Sequence, residues 1–222
     1  MKRALLLAAI LSGCTVLDTA NLEGPLVSSA DSFQSVEMQP NSSANSRSAK
    51  IGFVEFDDLG FQKDRTAVKN VFDNIYQLND RAATQPLLLV VFIHGWHHNA
   101  DENDGNVKSF KQFLSQLQYE EDNISFASNK RQVVGVYIGW RGESNESLLN
   151  PLTYRTRKLA GLLVGEYGLQ EILVELKAVR NSNDKNRLYR SGTALAAGFS
   201  IHQSCRIWSI AWFPPPAKTL RR

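Results

Sequence analysis

Three of the chain's four histidines fall within five residues, in the run His94-Gly95-Trp96-His97-His98-Asn99-Ala100, with Asp101 and Asp104 close behind. Such a cluster is open to several chemistries. Imidazoles can accept and return protons, since histidine changes charge near neutrality. The residue types at His94, His97, His98, Asp101 and Asp104 also suit a zinc ion. Adjacent histidines on a loop fix no coordination geometry, however, and the chain has no His-Glu-x-x-His pair, so a metal is the weaker reading. The plainest alternative is a polar loop with one buried aromatic, Trp96. Gly95 would permit a tight turn in any of these cases.

The elements around the cluster say where it must sit. Residues 87–93 are seven apolar residues in a row, preceded by Pro86. That pattern predicts a strand buried on both faces, as a parallel sheet requires. Residues 51–56 and 132–138 predict two further strands. Val68, Val71, Phe72, Ile75 and Tyr76 recur at helical spacing, as do Val107, Phe110, Phe113, Leu114 and Leu117. After Pro151, two more helical segments divide near Gly165 and Gly168, the second carrying Ile172, Leu173, Leu176 and Val179. The alternation implies an α/β fold with a doubly wound, mostly parallel sheet and right-handed crossovers. Ligands in such sheets bind at the carboxyl ends of the strands. The informative residues should follow Ile93, Ile138 and a strand near 194–197.

The run from Phe92 through Ala100, then Asp104-Gly105-Asn106-Val107-Lys108-Ser109-Phe110, resembles a bacterial esterase/lipase-like group of the α/β-hydrolase superfamily. Val136-Tyr137-Ile138-Gly139-Trp140-Arg141-Gly142 and Arg157-Lys158-Leu159-Ala160 are similar to the same group, and the likeness runs from about Ile51 to Arg190. The resemblance implies an α/β-hydrolase-like fold, incomplete here, and hydrolysis of a carboxylic ester. It also implies roles. The loop after the strand donates a backbone N–H to an oxyanion hole, which makes Trp96 the donor, Gly95 the turn and His94 a shaper of the loop. One such donor contributes about 3 kcal/mol to an acyl-transfer transition state. No cofactor and no metal is implied.

The same family carries a nucleophile elbow, Gly-x-Ser-x-Gly, between a strand and a helix. Gly198-Phe199-Ser200 matches in place, so Ser200 is the nucleophile by position; His202 stands where the second glycine belongs and would crowd the turn. The family's triad continues with an acid and then a histidine. After Ser200 the sequence holds no Asp or Glu, and its one later histidine, His202, is too near to reach back. An acyl-transfer triad needs a base oriented by an acid. Together with Pro214-Pro215-Pro216 and the lone Cys205, this implies a chain truncated or frame-shifted relative to the family, hence a hydrolase incomplete or inactive as written. The alternative is a natural short form that binds without catalysis: a non-catalytic, lipid-anchored envelope binding protein.

The N-terminus bears on location. Lys2 and Arg3 precede eight apolar residues, 4–11, too short a run to cross a bilayer but long enough for a signal peptide. Leu11-Ser12-Gly13-Cys14 resembles the bacterial lipobox, which implies lipidation of Cys14 and cleavage before it. Thr15 rather than Asp follows, which implies sorting to the outer membrane in a Gram-negative cell. Residues 1–14 are thus expected to be a lipoprotein signal peptide. Residues 15–48 read as a flexible tether, since six of the eight residues in 41–48 are Ser or Asn. The hydrolase-like domain is expected over 49–213 and a basic tail over 214–222. The partners implied are a membrane, through the lipid on Cys14, and a small acyl-ester substrate. A net charge of +3, with Lys and Arg scattered among acids, argues against nucleic acid. With Cys14 lipidated, Cys205 has no internal disulfide partner.

Overall fold

The computed structural model describes residues 25–38, 47–81, 85–95, 98–123, 130–140 and 159–192. Their strands are β1 (Phe33–Ser35), β2 (Lys50–Phe56), β3 (Leu87–Ile93), β4 (Gln132–Trp140) and β5 (Arg187–Gly192). Their long helices are α1 (Arg65–Asp80), α2 (Gly105–Asn123) and α3 (Leu169–Asn181), the last entered through a π-helical turn, Val164–Gly168. The strand order is β1-β2-β4-β3-β5, with β1 antiparallel and the other pairs parallel.

Strands β3 and β4 are buried along their whole length, because both of their faces meet apolar side chains. On one face Val68, Val71, Phe72 and Ile75 of α1 pack with Leu169, Ile172, Leu176 and Val179 of α3 over Val54, Leu89, Val91 and Val136. On the other, Val107, Phe110 and Leu114 of α2 cover Phe53, Val90, Phe92 and Tyr137. The chain runs one way across the sheet from β2 to β3, back to β4, and forward again to β5. Right-handed crossovers send such reversals to opposite faces, which is how the helices are divided. The result is an α/β fold with a mostly parallel, mixed sheet sandwiched between helices.

Helix α1 starts where Asp64, in extended conformation, accepts the backbone N–H groups of Thr66 and Ala67 at 2.7 and 3.0 Å. Asp104 does the same for α2, its carboxylate accepting from Asn106 N at 2.7 Å.

Two described elements, β1 and β5, were not expected from the sequence. Part of the segment read as a flexible tether, 15–48, is docked: β1 pairs Phe33 with Gly52, and Val27 and Val36 are buried in the core. The carboxylate of Glu55 accepts the N–H groups of Leu26 and Val27 at 3.1 and 2.9 Å, and Ser32 O accepts from Phe53 N at 2.8 Å. These contacts are mostly backbone, so composition did not announce them. The last described strand is 187–192, upstream of the 194–197 stretch expected to form one, which lies outside the described residues. Its Leu188 faces the core while Tyr189 is exposed, and it earns its place by pairing along β3. The lipobox residues 11–14, the Ser/Asn-rich run 41–46 and the tail 214–222 also lie outside.

Candidate functional site

Strand β3 leads into α2 on one face, whereas β4 leads on towards α3 on the other. Adjacent parallel strands whose connections part in this way leave a crevice at their carboxyl ends. In register, Ile93 lies beside Ile138. The residues just beyond, His94 and Trp140, therefore meet there.

Their contact is reciprocal. The imidazole Nε2 of His94 accepts the backbone N–H of Trp140 at 2.8 Å, and the Trp140 indole N–H donates to the His94 carbonyl at 2.9 Å. The two rings lie parallel, 1° apart in plane, with centroids at 5.5 Å. An acceptor Nε2 places the ring proton on Nδ1, which then donates to Gly95 O at 2.8 Å. His94 is fully buried, and burial holds its pKa down to about 4 from an ordinary 6.5. It is neutral at physiological pH with both nitrogens spent on backbone. In this arrangement His94 has no lone pair for a proton or a metal. Its work is to fix the turn at Gly95.

The next described residues form a tight loop. Ala100 is buried, and a Cβ placed on Gly139 would stand 2.9 Å from its methyl, so glycine at the end of β4 lets the loop lie close. Tyr137 donates its hydroxyl to Asn99 O at 3.0 Å, and burial raises the pKa of that phenol. Asn99 Oδ1 accepts from Asp101 N at 2.8 Å, and Asp101 Oδ1 from Asn103 N at 2.7 Å. The loop closes on Asp104, whose Oδ2 lies 3.0 Å from His98 Nδ1 and whose Oδ1 lies 3.2 Å from it. The same carboxylate also takes the N–H groups of Asn99 and Asn106. Beside it the Asn106 amide nitrogen is buried without a hydrogen-bond partner among the described residues.

The structure thus brings together His94, Gly95, His98, Asn99, Asp101 and Asp104 at the carboxyl edge of the sheet. Trp96 and His97, named as oxyanion donor and possible ligand, lie outside the described residues, as do Cys14, Ser200, His202 and Cys205. Among the described residues no three His, Cys, Asp or Glu side chains gather as a metal would require. Sequence reasoning did not assign Trp140 its part as the partner of His94, nor Asp104 its grip on His98. The register of β3 against β4 was the missing signal for the first. The six-residue spacing from His98 to the start of a helix was the available clue for the second.

Comparison with protein-family models, with curated proteins and with solved structures finds no match for this chain.

Proposed function

We propose that this chain is a lipid-anchored envelope protein whose domain is an α/β-hydrolase-type carboxylic-ester hydrolase acting on a small acyl ester. The observation that carries the reading is the His94–Gly95 turn, pinned by Trp140 at the switch point of the sheet. A turn held this firmly is what a preorganised oxyanion donor requires, and the next N–H along the chain belongs to Trp96. Gly192 stands beside Ile93 in register, so β5 ends at the same edge, and Ser200 follows it in sequence. In this reading Ser200 Oγ attacks the ester carbonyl and the developing oxyanion meets the Trp96 N–H. No cofactor takes part. Cys14 carries the acyl chains that hold the protein at the membrane, the outer one in a Gram-negative cell, and each buried CH₂ contributes about 0.8 kcal/mol.

Full-length protein is assayed with p-nitrophenyl butyrate and labelled with a fluorophosphonate probe. Turnover together with labelling that disappears in Ser200→Ala supports the reading. A folded sample that neither turns over nor labels sinks it. For the anchor, Cys14→Ser should move the protein from the membrane fraction to the soluble one.

The second reading is a lipid-anchored envelope protein that binds without catalysis. It is favoured by one observation: His202 stands where the second glycine of the elbow belongs and would crowd the turn at Ser200. The labelling experiment separates the two.

A further inference from the structure

The geometry points to His98, oriented by Asp104, as the proton acceptor of the hydrolytic site. This rests on the ester-hydrolysis reading above and supplies that reading with a base and an acid.

The pair has the division of labour such chemistry needs. With His98 Nδ1 at 3.0 Å from Asp104 Oδ2, the proton sits on Nδ1 and the lone pair on Nε2. Nε2 has no hydrogen-bond partner among the described residues. His94, four residues earlier, spends both nitrogens on backbone. The His98 side chain is 36% exposed, whereas that of Asp104 is only 10% exposed, so the ring is reachable and the acid behind it is sheltered. The carboxylate cannot swing away readily, because Asn106 N at the first turn of α2 holds it at 2.7 Å. The positive end of that helix favours its charge. Both residues lie at the carboxyl edge of the sheet, on the loop that leaves the His94 turn.

The proton balance is simple. As the attacking oxygen bonds to the ester carbonyl carbon, its O–H proton passes to His98 Nε2 and the carbonyl electron pair moves onto oxygen. When the intermediate collapses, the bond from carbon to the leaving alkoxide breaks and the imidazolium returns the proton to that alkoxide. The attacking hydroxyl belongs to Ser200 or to water. Only the first gives an acyl-serine, and fluorophosphonate labelling tells them apart.

The test uses the full chain and p-nitrophenyl butyrate. His98→Gln should lower kcat/KM by about 100-fold or more, the usual worth of a positioned base, with the thermal melt unchanged. Asp104→Asn should lower it by about tenfold or more, and Lys177→Gln, on the exposed face of α3, should leave it unchanged. His98→Ala should regain activity when imidazole is added, a response that a merely structural histidine would not show. That rescue also decides the matter should His98→Gln fold poorly. Wild-type turnover that survives both His98 substitutions overturns the assignment while ester hydrolysis stands. A wild-type chain without turnover overturns both.

Discussion

His94 and Trp140 hold each other twice: the ring of His94 accepts the backbone N–H of Trp140, and the ring of Trp140 donates to the backbone carbonyl of His94. Each side chain thereby satisfies the main chain of the neighbouring strand's exit. Two parallel strands normally stop pairing where their connections diverge, which would leave these backbone groups buried and unmet. The exchange solves that problem with two residues, and it fixes the direction in which the chain enters the loop carrying His98.

Replacing His94 with Phe keeps an aromatic ring against Trp140 but removes the acceptor for its N–H. An unsatisfied buried donor costs roughly 1–3 kcal/mol, and urea unfolding at pH 7 should show a loss of about 2 kcal/mol. The pH dependence identifies the cause. Burial lowers the folded-state pKa of His94 to about 4, so between pH 6.5 and 4 the unfolded chain binds a proton that the folded chain refuses. Stability from this group is full above pH 6.5 and falls as the pH drops towards 4, by about 3 kcal/mol in total. His94→Phe should lose that limb, so its deficit against wild type should shrink as the solution is acidified. A deficit that stays constant from pH 7 to 4 would show that His94 is not held neutral.

How much of this was legible beforehand depended on what each element rests on. Strands β3 and β4 announce themselves because a strand covered on both faces must be apolar at nearly every position. Strands β1 and β5 do not, since an edge strand can stand on backbone pairing while Gln34, Arg187 and Arg190 remain at least partly in water. The His94–His98 block was visible as a cluster, but the division of roles within it was not. One imidazole is locked and neutral, the other has no partner at Nε2 among the described residues, and that distinction comes from Trp140 and Asp104. The first is a partner across the sheet; the second is the residue that opens α2.

Glu55 fastens the entry of the N-terminal segment. Its carboxylate is buried and accepts two backbone N–H groups, and burial raises its pKa from an ordinary 4.5 while those two donors partly offset the rise. For a carboxylic acid so raised, the stabilising contribution is present below pH 4.5 and is lost as the pH climbs through the folded-state pKa. Glu55→Gln removes the buried charge and keeps an amide oxygen as acceptor. Its stability relative to wild type should therefore increase from pH 4 to pH 7, opposite in sign to the trend at His94. Glu55→Ala should instead free the segment, seen as faster hydrogen exchange at Leu26 and Val27. Unchanged exchange there would mean that β1 alone holds the segment.

Gly135 sets the distance between β4 and α2. A Cβ there would overlap the Leu114 side chain and stand 2.9 Å from Phe110 Cε1, both in the buried layer under α2. Close-packed cores yield little, so Gly135→Ala should cost about 1–3 kcal/mol in urea unfolding. Gly105→Ala is the informative contrast. It lies at the start of the same helix with nothing within 4 Å of its would-be Cβ, and should be neutral or stabilising by up to about 1 kcal/mol. Equal losses at the two positions would mean that crowding between β4 and α2 is not what Gly135 relieves.

Asn186 joins three elements at the opposite edge of the sheet. It is fully buried; its Oδ1 accepts Leu87 N at 2.8 Å, and its Nδ2 donates to Asn79 Oδ1 and to Val179 O, each at 2.9 Å. One amide thus closes the first ladder position of β3, the end of α1 and the end of α3, just before β5 begins. Asn186→Leu fills a similar volume but leaves the Leu87 N–H and the Val179 carbonyl without these partners. The Leu87 N–H is the buried group left unmet, since Val179 O keeps the Ser182 hydroxyl at 2.7 Å, so the loss should be about 1–3 kcal/mol by urea unfolding. Asn186→Asp separates the two halves of the amide, since it keeps the acceptor for Leu87 N but cannot donate to Val179 O when ionised. It should therefore be destabilised at pH 7 as well, and a variant as stable as wild type would show that the link to α1 and α3 contributes nothing.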